Sequence, residues 1–373
     1  MLNKYNKILI ISLSLLLLLV STHISLKTVI SKSDDSFEFS SEEYYDTNEY
    51  NDKSSSFHKS ENSESIDSKG KLMSFKEKNE QNEDKKNSSY FDIAIVGDWG
   101  CTKDTKKTVD SIEDHNPDIV FSLGDTSYGT DMNCWLDIVK PISDKMKAVI
   151  GNHDYMSPII FQQYMENFGL SGQYYSFDYK NIHFLMMSSE STYNAGEEDS
   201  FSDAEETEQY EYVDKDLSQA SKNPDIKWII VMTHRQQYSS HCGLHDSCDP
   251  IKKLRDTYHP LFEKYGVDLL FSGHAHNYQR TYPLSYNEKN PSQPIINDNA
   301  KTEYTSPKGM FQIIVGTGGV NFDPFTNQEP YVAYQQDSSY GFLNVDVSHN
   351  GNALIGKYYS NDGKVLDEFK IIK

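Results

Sequence analysis

Five short segments hold the residue types that bind metal ions. They are Gly97-Asp98-Trp99-Gly100, Gly124-Asp125 followed by Tyr128, Gly151-Asn152-His153-Asp154, His234, and Gly273-His274-Ala275-His276. Carboxylate, amide and phenol oxygens with imidazole nitrogens make a hard-to-borderline donor set suited to first-row transition metals. Asp98, Asp125, Tyr128, Asn152, His234, His274 and His276 are more ligands than one ion takes, so the count fits two ions. Asp125 is the natural bridge, because a carboxylate can offer one oxygen to each ion. Taken singly, Gly-Asp and Asn after a strand are ordinary turn residues. Only the constellation argues for chemistry. His274 and His276 are two apart and must diverge to reach different ions, which a loop just past a strand end allows.

The positions of these segments support the reading. FDIAIV (Phe91 to Val96) is a short apolar run ending in Gly97 and reads as a buried strand. A helix is expected over about Thr105 to Asn116, then the strand IVFSL from Ile119, then KAVI before Gly151. YYSFDY and IHFLMM read as a strand pair turning at Lys180-Asn181. A helix over Ala204 to Ser221 precedes the strand WIIVMT, and one over Lys252 to Tyr265 precedes DLLFS. MFQIIV, GFLNVDV, ALIGKYY and VLDEFKII finish the chain as strands. Strands alternating with helices and then strands alone predict an α/β fold, a sandwich of two mixed sheets. Each candidate segment follows a predicted strand, and in α/β sheets sites gather beyond the carboxyl ends of strands. Glycines there let the chain turn so that the next side chain points into the crevice.

The formal charge is −21, from 56 acidic against 35 basic residues. Most of that acidity lies beyond residue 90, which argues against nucleic acid as a partner. An anionic substrate then needs a local positive centre, such as a metal. Residues 1–30 read as a signal peptide or membrane anchor: Lys4 and Lys7 precede the apolar run Ile8 to Val20, and the stretch 8–26 could just span a bilayer. Residues 31–90, rich in Ser, Glu, Asp, Asn and Lys without sustained period, read as a disordered tether. Residues 91–373 read as one folded domain, secreted or held on the outer face of a membrane.

The ordered segments resemble the metallophosphoesterase superfamily, and within it the purple acid phosphatases. Gly100 stands where generic members place a His, and Tyr128, three residues after Asp125, is the purple acid phosphatase pattern. GHAHNYQRTYPL is similar to that family's GHxHxYERTYP segment, with Gln279 where Glu is usual. QYEYVDKDL (Gln209 to Leu217) is similar to its QYxWLxxDL helix. The resemblance implies a four-layer α-β-β-α sandwich with the dinuclear site at the carboxyl ends of the strands. It implies Fe(III) held by Asp98, Asp125, Tyr128 and His276. A second ion, Fe(II), Zn(II) or Mn(II), would be held by Asp125, Asn152, His234 and His274.

The implied activity is acid phosphatase: hydrolysis of phosphate monoesters by a metal-bound hydroxide attacking phosphorus in line, with the ions about 3.5–4 Å apart. Asn152, His153 and Arg280 would meet substrate, and His153 would stabilise developing charge or help protonate the leaving oxygen. The family's second non-ligand His belongs to the loop HRQQYSSHCGLHD, where His241 and His245 are candidates and His241 is favoured as catalytic. Arg235 is a further cation near the site. Alternatives are a phosphodiesterase or nucleotide hydrolase on the same fold, or a non-catalytic iron- or phosphate-binding surface protein. His115, His183, His259 and His349 lie outside the segments and read as structural or exposed. Outside the cytoplasm the four Cys suggest disulfides, with Cys242–Cys248 and Cys101–Cys134 as the pairings.

Overall fold

A computed structural model describes residues 91–190, 208–240, 249–348 and 350–373, with the short strand pair Ser65–Ile66 and Leu72–Met73. The expected leader and, apart from that strand pair, the expected tether lie outside the described residues, as do His241, His245, Cys242, Cys248 and His349. Among the described residues no helix is long and apolar enough to cross a membrane.

Strand β1 (Phe91–Val96) is buried along its whole length, as a strand covered on both faces must be. Helix α1 (Lys103–His115) carries the chain over to β2 (Ile119–Ser122), which lies parallel to β1. The helix starts where the Thr102 hydroxyl accepts the Thr105 N–H at 3.0 Å. It stops at Asn116, in the left-handed region at φ 51°, just before Pro117. After α2 (Asn133–Val139) and a 3₁₀ turn (Lys140–Lys145) comes β3 (Met146–Ala148), parallel to β2. Two short helices follow, α3 (Asn152–Met156) and α4 (Pro158–Phe168), the latter capped by Ser157 and ended by Gly169 at φ 62°.

The hairpin of β4 (Tyr175–Tyr179) and β5 (Ile182–Met186) turns through Lys180 at φ 53°. Next come α5 (Glu208–Ala220), β6 (Trp228–Met232), α6 (Asp249–Tyr265) and β7 (Leu269–Ser272). The rest is strand: β8 (Tyr278–Thr281), the small pair β9 (Leu284–Ser285) and β10 (Ile295–Ile296), β11 (Glu303–Thr305), β12 (Phe311–Val315), β13 (Val332–Gln336), β14 (Gly341–Val347), β15 (Ala353–Ser360) and β16 (Val365–Ile372).

Two seven-stranded mixed sheets result, ordered β11-β16-β15-β14-β1-β2-β3 and β13-β8-β12-β7-β6-β5-β4. Alternation along the second sheet shows the layering. Phe184, Ile230 and Phe271 join the same buried cluster as Ile95, Phe121 and Leu343 of the first sheet. Their neighbours Leu185, Val231 and Leu270 join Val213 and Leu217 of α5 and Tyr258 and Phe262 of α6. Phe121 meets Phe184 at 4.9 Å and Tyr278 meets Tyr358 at 4.3 Å across the gap between sheets. On the far side of the first sheet, His115 of α1 packs on Phe342 and Tyr359. The order is helix, sheet, sheet, helix. Parallel strands β1, β2 and β3 of one sheet and β6 and β7 of the other direct their carboxyl ends to one place.

A candidate dinuclear metal centre at the strand ends

Beyond β1 and β2 the chain continues as two adjacent loops, joined by Asp98 N–H to Gly124 O (3.1 Å) and Trp99 N–H to Asp125 O (3.0 Å). Seven described non-glycine residues have positive φ, and Asp98, Asp125, Tyr128 and His274 are four of them, at 58°, 52°, 56° and 67°. The left-handed region costs such residues about 1–2 kcal/mol each, so packing elsewhere must offset it. Two glycines make the close approach possible. A Cβ on Gly151 would lie 2.2 Å from Asp125 Oδ1, and one on Gly273 would lie 2.4 Å from Asp98 Oδ2.

The donor atoms fall into two groups that share Asp125. In the first, the Tyr128 hydroxyl lies 3.3 Å from Asp98 Oδ1, 3.0 Å from Asp125 Oδ2 and 3.0 Å from His276 Nε2. In the second, Asn152 Oδ1 lies 3.0 Å from His234 Nε2 and 2.9 Å from His274 Nδ1, while His234 Nε2 lies 3.4 Å from Asp125 Oδ1. Asp125, His234 and His274 offer donor atoms all within 4.8 Å of one another. The imidazoles are oriented from behind. His234 Nδ1 faces Leu123 O at 2.8 Å, and His276 Nδ1 faces Asn321 O at 2.9 Å. A neutral ring that donates there turns a lone pair into the cluster.

This donor set fits a pair of cations. Asp98 and Asp125 are buried at 0% and 1% exposure with the Tyr128 phenol between them. Burial, with the Asp125 charge adding to it, pushes the Asp98 carboxyl well above its usual range. Burial and the two carboxylates likewise push the Tyr128 phenol up. Burial works against the Asp125 charge too, but the His234 imidazole opposite holds that carboxyl below its usual value. Such a concentration of anionic oxygens in a buried place is what bound cations neutralise. A Cβ built on Gly100 would lie 2.8 Å from Val320 Cγ1 and 3.9 Å from the Tyr128 ring, so the chain passes close to its neighbours here.

The remaining candidates divide. His153 is exposed, its ring tilted over that of Tyr128 with centroids 4.2 Å apart, and its backbone N–H donates to Asp125 Oδ1 at 2.9 Å. Arg280, expected to meet substrate, does not reach the cluster. It is 1% exposed in β8 and paired with Asp367 through Nε (2.7 Å) and Nη2 (2.9 Å), with Nη2 also donating to Lys301 O. Its sequence neighbourhood placed it near His276, but alternation along β8 turns it into the core. Arg235 is also buried, at 5%, with Glu190.

Three supporting residues escaped the sequence reading. The Asp154 carboxylate accepts the backbone N–H groups of Asp125, Thr126 and Gly151, tying the second segment to the third. Burial and the Asp125 charge push its carboxyl up to about 6. Asp323 Oδ2 accepts the His276 N–H at 3.2 Å. Glu190, 1% exposed at the end of the β5 segment, holds Arg235 against His274. Asp154 alone stood in a recognisable segment. Cys101 and Cys134 are joined in a disulfide, with Cα atoms 6.0 Å apart.

Comparison with known proteins agrees with this geometry. Residues 91–278 match the calcineurin-like phosphoesterase family, and residues 309–368 match the family described as iron/zinc purple acid phosphatase-like protein C. Acid phosphatase type 7 of Mus musculus is 25% identical over 308 residues, covering 75% of this chain and 67% of that protein. A probable inactive purple acid phosphatase 1 of Arabidopsis thaliana is 28% identical over 298 residues, covering 73% of this chain but only 44% of its own length. A purple acid phosphatase structure from yellow lupin (Lupinus luteus) superposes with TM-score 0.63 at 23% identity, over 76% of this chain and 54% of that one. With both segments matched in order and the strand-end cluster in place, the chain belongs to the calcineurin-like phosphoesterase family and carries the purple acid phosphatase type of C-terminal segment.

Proposed function

We propose that this chain is an exported acid phosphatase that hydrolyses phosphate monoesters at a dinuclear centre. The observation that carries the reading is the division of Asp125, whose Oδ2 faces Tyr128 and whose Oδ1 faces His234. Asp98, Asp125, Tyr128 and His276 would hold Fe(III), for which a phenolate is a fitting hard ligand. Asp125, Asn152, His234 and His274 would hold Fe(II), Zn(II) or Mn(II). Bound there, the ions supply Lewis acidity toward the phosphate oxygens and acidify water. The chain's own part is orientation and proton handling. Asn152 Oδ1 sits between two imidazoles at the mouth of the second group. His153, open to solvent over the Tyr128 ring, would hold a proton for the leaving oxygen, a role for which the sequence also offers His241.

Export is supported by the basic-then-apolar start of the sequence and by the Cys101–Cys134 disulfide, which persists in oxidising compartments. A second reading, a non-catalytic metal- or phosphate-binding protein, draws on the Arabidopsis relative whose name calls it probably inactive. One experiment separates the readings. The full chain is purified with iron and zinc, and its visible spectrum and its turnover of p-nitrophenyl phosphate and bis(p-nitrophenyl) phosphate are measured. Acid-optimal monoester turnover with a visible band supports the proposal. Faster turnover of the diester indicates a phosphodiesterase, and full metal content without turnover of either indicates the binding protein.

A further inference from the structure

The rim of the site beside His153 is apolar. In α3, His153 and Met156 are three residues apart and so share one side of the helix, with Cβ atoms about 5–6 Å apart. Both are exposed, and the His153 ring lies over that of Tyr128 with centroids 4.2 Å apart. Beyond Met156 the chain runs through Ser157 into α4, whose second residue is Ile159. Met156 at 59% and Ile159 at 60% are the most exposed large apolar side chains among the described residues. One such side chain alone is ordinary. Here the two most exposed are three residues apart and stand next to the exposed histidine of the site.

This rim is built firmly. Asp154, between His153 and Met156, is buried and accepts the N–H groups of Asp125 and Gly151. The Ser157 hydroxyl caps α4 at the Ile160 N–H (3.3 Å), and Ile160 is sunk in the core, which leaves its neighbour Ile159 outside. Tyr155 of α3 and Phe161 of α4 meet edge-on with centroids 5.9 Å apart, joining the two helices. The charges nearby point the same way. Arg235 directly follows His234 and Arg280 lies four residues after His276, but they are buried against Glu190 and Asp367. Neither is available to a carboxylate or a second phosphate. The surplus of 56 acidic over 35 basic residues further disfavours a polyanion.

We infer that Met156 and Ile159 form a platform for the leaving group, and that the substrates are phosphate monoesters of apolar alcohols or phenols carrying one phosphate and no further charge. The inference rests on the phosphatase reading above. In that hydrolysis the bond from phosphorus to the ester oxygen breaks, water giving its oxygen to phosphorus and a proton to the departing alcohol. With His153 at the leaving oxygen, whatever that oxygen carries extends past His153, where Met156 and Ile159 stand next. Covering them takes apolar surface out of water, a gain that a short or polyhydroxylated leaving group does not make. A methylene's worth of apolar contact changes kcat/KM by about 10–200-fold in a closed pocket. An open rim belongs at the low end of that range.

The test compares ethyl phosphate with hexyl phosphate, whose leaving groups differ in apolar length and hardly in chemistry, on the full chain loaded with iron and zinc. The hexyl-to-ethyl ratio of kcat/KM should be about 10 or higher in wild type, with the difference mainly in KM. It should fall about 10-fold in the double variant Met156→Ser with Ile159→Ser, and by less in each single one. Met156→Leu should keep it. Inhibition by inorganic phosphate, which has no leaving group, should retain its wild-type constant in all of them, which separates loss of the platform from damage to the site. A ratio that is the same in wild type and the double variant overturns the inference. So does a wild-type ratio near one; if the double variant then also sediments as a smaller species, the patch belongs to a second copy of the chain. Metal-loaded wild type that turns over neither ester sinks the phosphatase reading itself, whereas equal turnover of both leaves that reading standing and removes only the platform.

Discussion

Asp154 holds Asp125 by its backbone: Asp154 Oδ2 accepts the Asp125 N–H at 2.9 Å, and both carboxylates are buried. The same oxygen accepts Gly151 N–H at 3.0 Å, and Oδ1 accepts both the N–H (2.9 Å) and the hydroxyl (2.5 Å) of Thr126. Four donors occupy the acceptor sites of one carboxylate, fixing the turn that holds Asp125 at positive φ. In Asp154→Asn the NH₂ group must face backbone N–H groups whichever way it is turned. Leaving buried donors unmade costs about 1–3 kcal/mol each, so a loss of about 2 kcal/mol or more is expected at pH 7.5, where the carboxylate is ionised. Urea unfolding of the two proteins at that pH checks it, and an unchanged midpoint would refute the role.

The seven cluster residues were readable because each sits one or a few residues past an apolar strand, where local signals suffice. The hairpin turn at Lys180 and the strands Phe311–Val315, Gly341–Val347, Ala353–Ser360 and Val365–Ile372 were readable from local pattern as well, whereas strand Val332–Gln336 was missed. What was hidden depends on distant partners. Arg280 looked like a site cation until Asp367, 87 residues later, was seen to bury it. Glu190 is a lone acid in Ser-Ser-Glu, and only the adjacency of β5 and β6 brings it to Arg235. Helix α4 has isoleucines, aromatics and glutamines without a sharp polar face, and it emerges from tertiary packing through Ile160 and Tyr164. Strand β8 lay inside a segment read for its histidines, so its alternation went unused.

Tyr128 gives the most direct spectroscopic prediction. Its hydroxyl is within 3.3 Å of Asp98, Asp125 and His276 oxygens or nitrogen, so an ion held by those three meets the phenol as well. Iron-loaded wild type should show a visible band that Tyr128→Phe lacks, while far-ultraviolet dichroism stays the same. Phosphatase activity should fall by at least about 10–100-fold, the usual scale for disturbing a metal's close surroundings. A band that survives in Tyr128→Phe would remove Tyr128 from the iron site.

Two histidines remote from the cluster should give the fold opposite responses to pH. His259, buried with Nδ1 2.8 Å from the Tyr238 hydroxyl, is held down to about 4 by burial. A histidine depressed from about 6.5 stabilises fully above pH 6.5, and that contribution is lost as pH falls toward 4, reaching about 3 kcal/mol. His183 is shifted the other way. Burial opposes its charge, but hydrogen bonds to Asp216 (2.8 Å) and Asp178 (2.7 Å) outweigh it and raise its value. Its contribution is present below pH 6.5 and lost as pH rises through the folded value. Urea unfolding across pH 4.5–9 should therefore show less acid destabilisation in His259→Gln than in wild type. His183→Gln should be penalised more at pH 5.5 than at pH 9. Parallel pH curves for the variants and wild type would contradict both assignments.

The Cys101–Cys134 bridge closes a segment that contains α1, β2, Asp125 and Tyr128, across 33 residues of sequence. Chain-entropy reasoning assigns a loop of that size about 3–4 kcal/mol of stabilisation, less whatever the unfolded chain retains. The bridge reinforces a contact already present beside it. Trp99, two residues before Cys101, packs edge-on against Trp135 with ring centroids 6.3 Å apart, and its indole N–H donates to Ser122 Oγ at 2.8 Å. Trp99 directly follows Asp98, so loosening this corner should loosen the first group of donors too. Cys101→Ser and Cys134→Ser should each lower unfolding stability by a similar amount, up to about 3–4 kcal/mol, and the double variant should lose no more than either single one. Iron retention during dialysis against a chelator should fall in all three. Equal stability of the single variants and wild type would mean the bond is not formed in the purified protein, and a larger loss in the double variant would place the effect in side-chain packing instead of the covalent link.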